Sequence, residues 1–596
     1  DRMIKKVREN EIEHADLLHI PKTLVLCTDI FDEFMETNEL YSIAMSDISD
    51  EEMLACFLRG RLPHRLLADL EVFIEVVKTP LAIRSSSLLE DSHYQPFAGI
   101  YSTYMIPYDE DKYCRLEMLA NAIKGVYASV YFRGSKDYMT ATSNVIDQEK
   151  MAVILQEVVG QQYGTRFYPN VSGVARSVNY YPIGDEKAEE GTVSLAMGLG
   201  KYIVDGGTSL RVCPYHPTQV LQMSEMDIAL RDTQTSFYAL ETSIPKDKFG
   251  YRIKTVFQVD DGFNLVKIPV REAEQDGSLQ WICSTFDPVD QCIYDGFYEG
   301  RNRKLISFAG VLQNGVWPMP ELLRLVLKLG QEEMKRPVEI EFACNINKDK
   351  TGDFYLLQIR PMVDNRMQLD EDLSAIPDEQ CLLRSHNAIG HGNITDITDI
   401  VYVKTGEKSK YTPGKNPQIA DEVERINRSL LQEERKCLLI GPGRWGSSDS
   451  WLGIPVKWPH ISSAQVIVEA GLENFQVDPS QGTHFFQNLT SLGVGYLTID
   501  AFRGNGKYDC SLFEGLEVVQ ETDYVAHVRL SEPLTIKIDG MKKEAVVLMP
   551  KELLEPKKKV CTSLEDEKLK DNENDNDDDN ENYNDNINEN ENLDGQ

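Results

Sequence analysis

The chain has 596 residues, 41% of them hydrophobic and 9% aromatic, which is enough for two to four domains with cores of their own. A formal net charge of −34 disfavours broad nucleic-acid binding, and no apolar run approaches the ~20 residues that a membrane span needs. Eleven cysteines, scattered singly without a Cys-x-x-Cys, argue against a disulfide framework or a structural zinc site and for a reducing compartment, which we read as the cytoplasm.

The start, DRMIKKVREN, has neither the pattern of a signal peptide nor an initiator Met, which admits a fragment. Residues 1–80 read as mostly helical around the short strand TLVLCT: IEHADLLHI, DIFDEFMETNELYSIAM, then SDISDEEMLACFLRG with cap-like clusters at Ser46-Asp47 and Ser49-Asp50-Glu51-Glu52. These are packing elements.

In PLAIRSSSLLEDSHYQPFAGIYSTYMIP a buried-type strand, Leu81–Ile83, delivers Arg84 and three serines. A guanidinium beside small hydroxyls and backbone N–H groups clamps phosphate; the same residues also read as a serine N-cap with Arg84 on the surface. Next, MAVILQEVVG is an apolar strand ending in Gln156-Glu157. Gly198-Leu199-Gly200 lacks the third glycine of a dinucleotide fingerprint.

PVEIEFACNINKDKTGDFYLLQIRPM, residues 337–362, reads as a β-hairpin. Glu339 and Glu341 share one face, with Val338, Ile340 and Phe342 on the other. A turn centred between Asp349 and Lys350 pairs Glu339 with Arg360 and Glu341 with Gln358. Neighbouring carboxylates repel unless a cation sits between them, and hard oxygen ligands suit Mg²⁺, which brings substrate phosphates with it. The plainer alternative is a solvated face with a surface ion pair.

In order, IRSS, acidic residues, FAG, a Thr, a strand with Gln-Glu, SGVA, GLG, an acid-x-Glu strand and a Gln-x-Arg-Pro strand resemble the nucleotide-binding domain of phosphoenolpyruvate synthase and pyruvate phosphate dikinase over roughly residues 20–365. That domain is ATP-grasp-like. The resemblance implies that Arg84 holds ATP phosphates, that Thr103 lines the phosphate pocket beyond Gly99, and that Gln156, Glu157 and the Val158 backbone border the adenine. It also implies that Glu339 and Glu341 bind Mg²⁺ and ribose and that Gln358 and Arg360 contact the β and γ phosphates. Two features depart from the family. Its glycine-glycine-lysine is absent, Lys5 and Lys6 standing in a non-glycine context, and its GLGE reads Gly198-Leu199-Gly200-Lys201. Lys201 is expected either to add positive charge near phosphate or to be solvated.

Complete synthases and dikinases continue with a phosphohistidine domain and a phosphoenolpyruvate-binding barrel. Residues 366–556 are too few for a (β/α)₈ barrel of about 250 residues. Ser385-His386-Asn387-Ala388, with His391 behind it, is the nearest match to the phosphohistidine motif, but without its glycines. The stretch instead reads as a second α/β unit, with the helix DEVERINRSLLQEE, the strands DIVYV, SAQVIVEA, VGYLTID, VAHVRL, LTIKIDG and EAVVLMP, and KCLLIGPGRWGS as a strand running into a glycine-rich turn. That turn, with Arg444, either cradles an anion or packs Trp445 beneath it. His484, in SQGTHFFQN, reads as structural. From Glu565 to Gln596 fourteen acids face two lysines, a composition that cannot bury enough to order itself.

The expected fold is therefore mixed, α/β and α+β: an ATP-grasp-like domain over 1–365, a smaller α/β domain over 366–556 and a disordered acidic tail over 557–596. The expected function is phosphotransfer from ATP with Mg²⁺ to an acceptor left open, pyruvate-like compounds included. The alternative is an ATP- or AMP-binding regulatory module. Neither nucleic acid nor membrane is an expected partner; a partner chain or a homo-oligomer is compatible with either function.

Overall fold

Ser49 opens the helix Asp50–Arg59 with a reciprocal cap: its hydroxyl accepts from the Glu52 N–H at 3.2 Å, and the Glu52 carboxylate accepts from the Ser49 N–H at 3.3 Å. The apolar stripe of this helix, Met53, Leu54 and Phe57, is buried. The long run before it forms two helices, Thr28–Thr37 and Tyr41–Ala44, because the chain turns between them with Glu39 at φ +52°. Of the expected first helix, the described residues form one 3-10 turn of helix at Ala15–Leu17 and then a strand at Leu18–His19, which pairs in parallel with Phe354 and Tyr355. An open strand edge there overrides local helix preference.

The computed structural model describes residues 14–90, 99–142, 149–243, 256–300, 302–362, 369, 371–406, 409–472, 483–501, 504–508, 510–513 and 516–550. Lys5, Lys6, Phe97, Ala98 and the acidic tail lie outside them. Among the described residues no helix is long and apolar enough to cross a membrane.

Three sheets matter for the site. An antiparallel sheet runs in the order Thr23–Leu26, Met151–Glu157, Leu81–Ser87, Tyr104–Ile106. The serine run stays in its strand, with Ser85, Ser86 and Ser87 opposite Val153, Ala152 and Met151, so the N-cap alternative fails. A six-stranded sheet follows the order Leu18–His19, Gly352–Pro361, Val338–Ile346, Val171–Arg176, Thr192–Ala196, Leu210–Val212.

Within it the hairpin pairs Glu339 with Arg360 and Glu341 with Gln358, in the expected register. A bulge then shifts the pairing, since Phe342 faces Leu356 and Leu357 is left over. Bulges re-aim side chains and gather near active sites.

The C-terminal sheet has parallel strands Gly392–Val403, Cys437–Pro442, Ala464–Ala470 and Gly495–Ile499, continued antiparallel through Val525–Asp539. The two expected strands VAHVRL and LTIKIDG are one strand. The helix Asn416–Gln432 buries Ile419, Val423, Ile426 and Leu430. Trp445 is fully buried, its indole N–H donating to the Val468 carbonyl at 3.0 Å, as the packing alternative for the glycine-rich turn expects. The described residues up to 550 belong to one compact unit. Within it Phe486 packs edge-on to Tyr180 at 5.9 Å, and the Ser447 hydroxyl donates to the Gly206 carbonyl at 3.2 Å.

Candidate functional site

The four-stranded and six-stranded sheets contribute opposite walls of a cavity of about 190 Å³. Ala82, Arg84, Met105, Gln156, Glu157 and Val158 line it from one side, and Ser172, Gly173, Glu341 and Phe342 from the other. Thr103, Lys201, Asp205 and Asp261 complete a polar rim.

Arg84 is the link between the walls. Its guanidinium donates to Glu341 at 3.1 Å, to the Gln358 side-chain oxygen, and to Gln156 Oε1 at 3.4 Å. From the hairpin itself Arg360 adds a second contact to Glu341 at 3.3 Å. Burial alone would raise the Glu341 pKa, but Arg84 and Arg360 outweigh it and hold the carboxyl at about 2. Glu341 is therefore ionised at neutral pH.

Gln156 also donates to the carbonyl of Leu357, the residue expelled by the bulge, at 3.2 Å. The bulge thus gives the cavity a backbone oxygen that regular pairing would have used. Thr103 is fixed by its N–H donating to Asp261 at 2.8 Å.

The remaining expected residues are less direct. The Val158 N–H donates to the Pro80 carbonyl at 2.9 Å, and the Glu157 carboxylate accepts from the Thr79 hydroxyl at 2.8 Å. Both residues line the cavity, with those groups already satisfied. Gln358 and Arg360 meet it through Arg84 and Glu341. Glu339 stands behind it in a buried pair with Arg176, at 2.6 Å to Nε and 2.5 Å to Nη2.

Two residues exceed expectation. Lys201 is not a solvated amine: it reaches Asp261 at 3.3 Å and Asp205 at 3.8 Å. Burial lowers its pKa and these two acids more than restore it, so the amine stays charged. His484, taken as structural, lines this cavity from the start of the helix His484–Ser491, which Thr483 caps through its hydroxyl at 3.0 Å. Gly99, at φ +69°, makes room for the imidazole: a Cβ there would lie 2.2 Å from Nδ1. Burial pushes the His484 pKa down to about 4 against a smaller opposing pull from Glu341, so the ring is neutral at pH 7. No local signal in SQGTHFFQN marks it, because its neighbours look like an ordinary helix start and only tertiary packing brings it here. His386, the sequence's nearest phosphohistidine candidate, is exposed at a turn between strands and lines neither this cavity nor its neighbour.

A second cavity of about 350 Å³ adjoins the first, and Gly99, Val204, Asp205 and His484 line both. Trp458, Lys457, His460, Tyr138 and Asn488 line its far side.

The donor set suits a nucleotide triphosphate with a hard cation. Two cations, Arg84 and Lys201, line the cavity paired with Glu341 and with Asp205 and Asp261, and Ala82, Val158 and Leu265 add an apolar stretch of wall.

Comparison with known proteins agrees. The family model for the pyruvate phosphate dikinase AMP/ATP-binding domain matches residues 5–379. Phosphoenolpyruvate synthase of Aeropyrum pernix is 23% identical over 343 residues, 55% of this chain and 34% of that protein. An uncharacterized phosphotransferase of Bacillus subtilis, YvkC, is 26% identical over 203 residues, 32% of this chain and 21% of that protein. The chain therefore matches about a third or less of the length of these relatives.

Proposed function

Because the chain belongs to the family of pyruvate phosphate dikinase AMP/ATP-binding domains, we propose that it binds ATP with Mg²⁺ between the two sheets and transfers a phosphoryl group to an acceptor. The observation that carries this reading is Arg84, which comes from one sheet and grips Glu341 and Gln358 on the other. Arg84 and Lys201 neutralise phosphate oxygens, with Arg360 behind them. Thr103 lies along the phosphates, and Gln156, Glu157 and Val158 border the base. Glu341 is the carboxylate positioned for the metal, and Glu339 joins it only by leaving Arg176. Bound Mg²⁺ would supply charge neutralisation and in-line geometry at the phosphates, the main needs of phosphoryl transfer.

The acceptor enters in this reading from the second cavity, past the neutral imidazole of His484, which lines both cavities.

Incubation with γ-labelled and β-labelled ATP and Mg²⁺ tests the proposal. Label transfer to the protein or to an added acceptor, with ADP or AMP release, is expected. Tight ATP binding with neither transfer nor release would instead support the second reading, a nucleotide-sensing module. That reading is favoured by one observation, the engagement of Glu339 with Arg176 away from the cavity.

A further inference from the structure

The strand Leu210–Val212 runs out into Cys213-Pro-Tyr-His216, a turn closed by the His216 N–H donating to the Cys213 carbonyl at 3.0 Å. The turn sets the thiol and the imidazole on one side. Glu190 arrives beside them from the short helix Ala188–Glu190, which leads into Thr192–Ala196, the antiparallel neighbour of Leu210–Val212. His216 Nε2 lies 3.0 Å and Cys213 Sγ 3.9 Å from the same Glu190 oxygen, and the three ligand atoms all fall within 4.8 Å of one another.

The two spacings to the Glu190 oxygen lie close to the edges of a coordination tetrahedron. With zinc bonds of about 2.0–2.1 Å to oxygen and nitrogen and about 2.3 Å to sulfur, tetrahedral geometry puts N and O about 3.3 Å apart and S and O about 3.5 Å apart. A few tenths of an ångström of side-chain movement closes the difference on those two edges, and a rotation of the partly exposed His216 ring toward Cys213 brings the third, within 4.8 Å, to its tetrahedral value of about 3.5 Å. The Glu190 oxygen is also held by the Lys187 N–H at 2.9 Å, the kind of outer contact that orients a ligating carboxylate. Cys213 is buried, while the His216 and Glu190 side chains are 24% and 16% exposed, which leaves the fourth coordination position toward water. None of the three lines the nucleotide cavity. The expectation against a structural zinc site rested on Cys-x-x-Cys spacing and passed over this Cys-x-x-His turn.

We propose that Glu190, Cys213 and His216 form a site for a four-coordinate first-row divalent cation, zinc in the ordinary case, which staples the edge of the six-stranded sheet. Sulfur, imidazole and carboxylate together select such a cation over Mg²⁺.

Full-length protein stripped with chelator and titrated with Co²⁺ provides the test. One equivalent is expected to give a thiolate-to-cobalt charge-transfer band, which Zn²⁺ abolishes by displacement, and Zn²⁺ is expected to raise the melting temperature. Cys213→Ser is nearly isosteric and should lose the band, and His216→Gln should weaken Co²⁺ at least about tenfold, both with a metal-free melting temperature close to that of the parent. A band that survives in Cys213→Ser, or the absence of any band in the parent, overturns the proposal. Should either variant fold poorly, a Zn²⁺-dependent rise in the parent's melting temperature that vanishes in Glu190→Gln decides for the site, and a rise that persists there decides against it.

Discussion

Glu341 and Asp399 are each gripped by two arginines, yet of these two only Glu341 faces a cavity. Asp399, 1% exposed, takes Arg435 and Arg529 at 2.8 Å and His527 at 2.7 Å, while Thr398 donates to its second oxygen at 2.9 Å. These partners hold its pKa far below the ordinary carboxylate range despite burial. All of them sit on or beside adjacent strands of one sheet, and the network closes on itself. The partners of Glu341 come from two sheets, and its side chain keeps 17% exposure toward a void. A depressed pKa beside arginine is thus shared by a structural knot and a candidate site; the feature that separates them is whether the charge cluster bridges two different sheets around empty volume.

The largest effect is expected at the knot. Asp399→Ala removes the buried acceptor shared by Arg435, Arg529 and His527 and leaves the two arginines only the more exposed Glu433; breaking a buried pair costs up to about 3–5 kcal/mol. Denaturant titration should show that loss, while calorimetry on the folded variant should find the Mg·ATP Kd within about threefold of the parent. A large change in affinity would erase the contrast drawn above. At the other cluster the pattern inverts. Arg84→Ala and Glu341→Ala each remove charge-assisted contacts worth about 1.5–3 kcal/mol apiece, so Mg·ATP binding should weaken at least about a hundredfold with a smaller loss of stability. Unchanged affinity in both variants would remove the cavity from consideration.

Acid sharpens the comparison further. The His484 imidazole titrates near 4 in the fold against 6.5 in the unfolded chain. As pH falls from about 6.5 the unfolded chain takes up a proton that the folded one refuses, so stability declines until about pH 4. Glu341 has a folded pKa of about 2 against 4.5, so its contribution is present above about 4.5 and is lost as pH falls toward 2. His484→Gln should flatten the stability profile between about pH 6.5 and 4 and leave the lower limb intact. A profile identical to the parent's would mean that the imidazole is not held neutral by its surroundings.

The hairpin was legible because strand side chains alternate with a period of two and its turn residues are unambiguous, so Glu339, Glu341, Gln358 and Arg360 fell into register. The bulge at Leu357 was not, since nothing local distinguishes that leucine from Leu356; its carbonyl turns toward Gln156, a partner 201 positions away. Arg84 stood between two readings until its serines paired along Met151–Ile154. For the same reason Glu339 looked equivalent to Glu341, because alternation assigns a face but says nothing about Arg176 on the neighbouring strand. Lys201 and His484 depend wholly on long-range packing, and residue type alone leaned toward the plainer reading for both.

The smallest expected effect falls on the contact between the two halves of the site. Gly99 occupies φ +69°, a region that costs an ordinary residue about 1–2 kcal/mol, and an added methyl would overlap the His484 ring. Gly99→Ala should therefore lower stability by about that amount and displace the imidazole from the wall shared by the two cavities. The three atoms nearest an added methyl all belong to His484, while Arg84 keeps its contacts to Glu341 and Gln358, so Mg·ATP affinity should stay within about threefold of the parent while label transfer from ATP falls by about tenfold or more. Transfer and affinity falling together would instead mean that the Gly99–His484 wall holds the nucleotide itself, and unchanged transfer would leave His484 as a wall and nothing more.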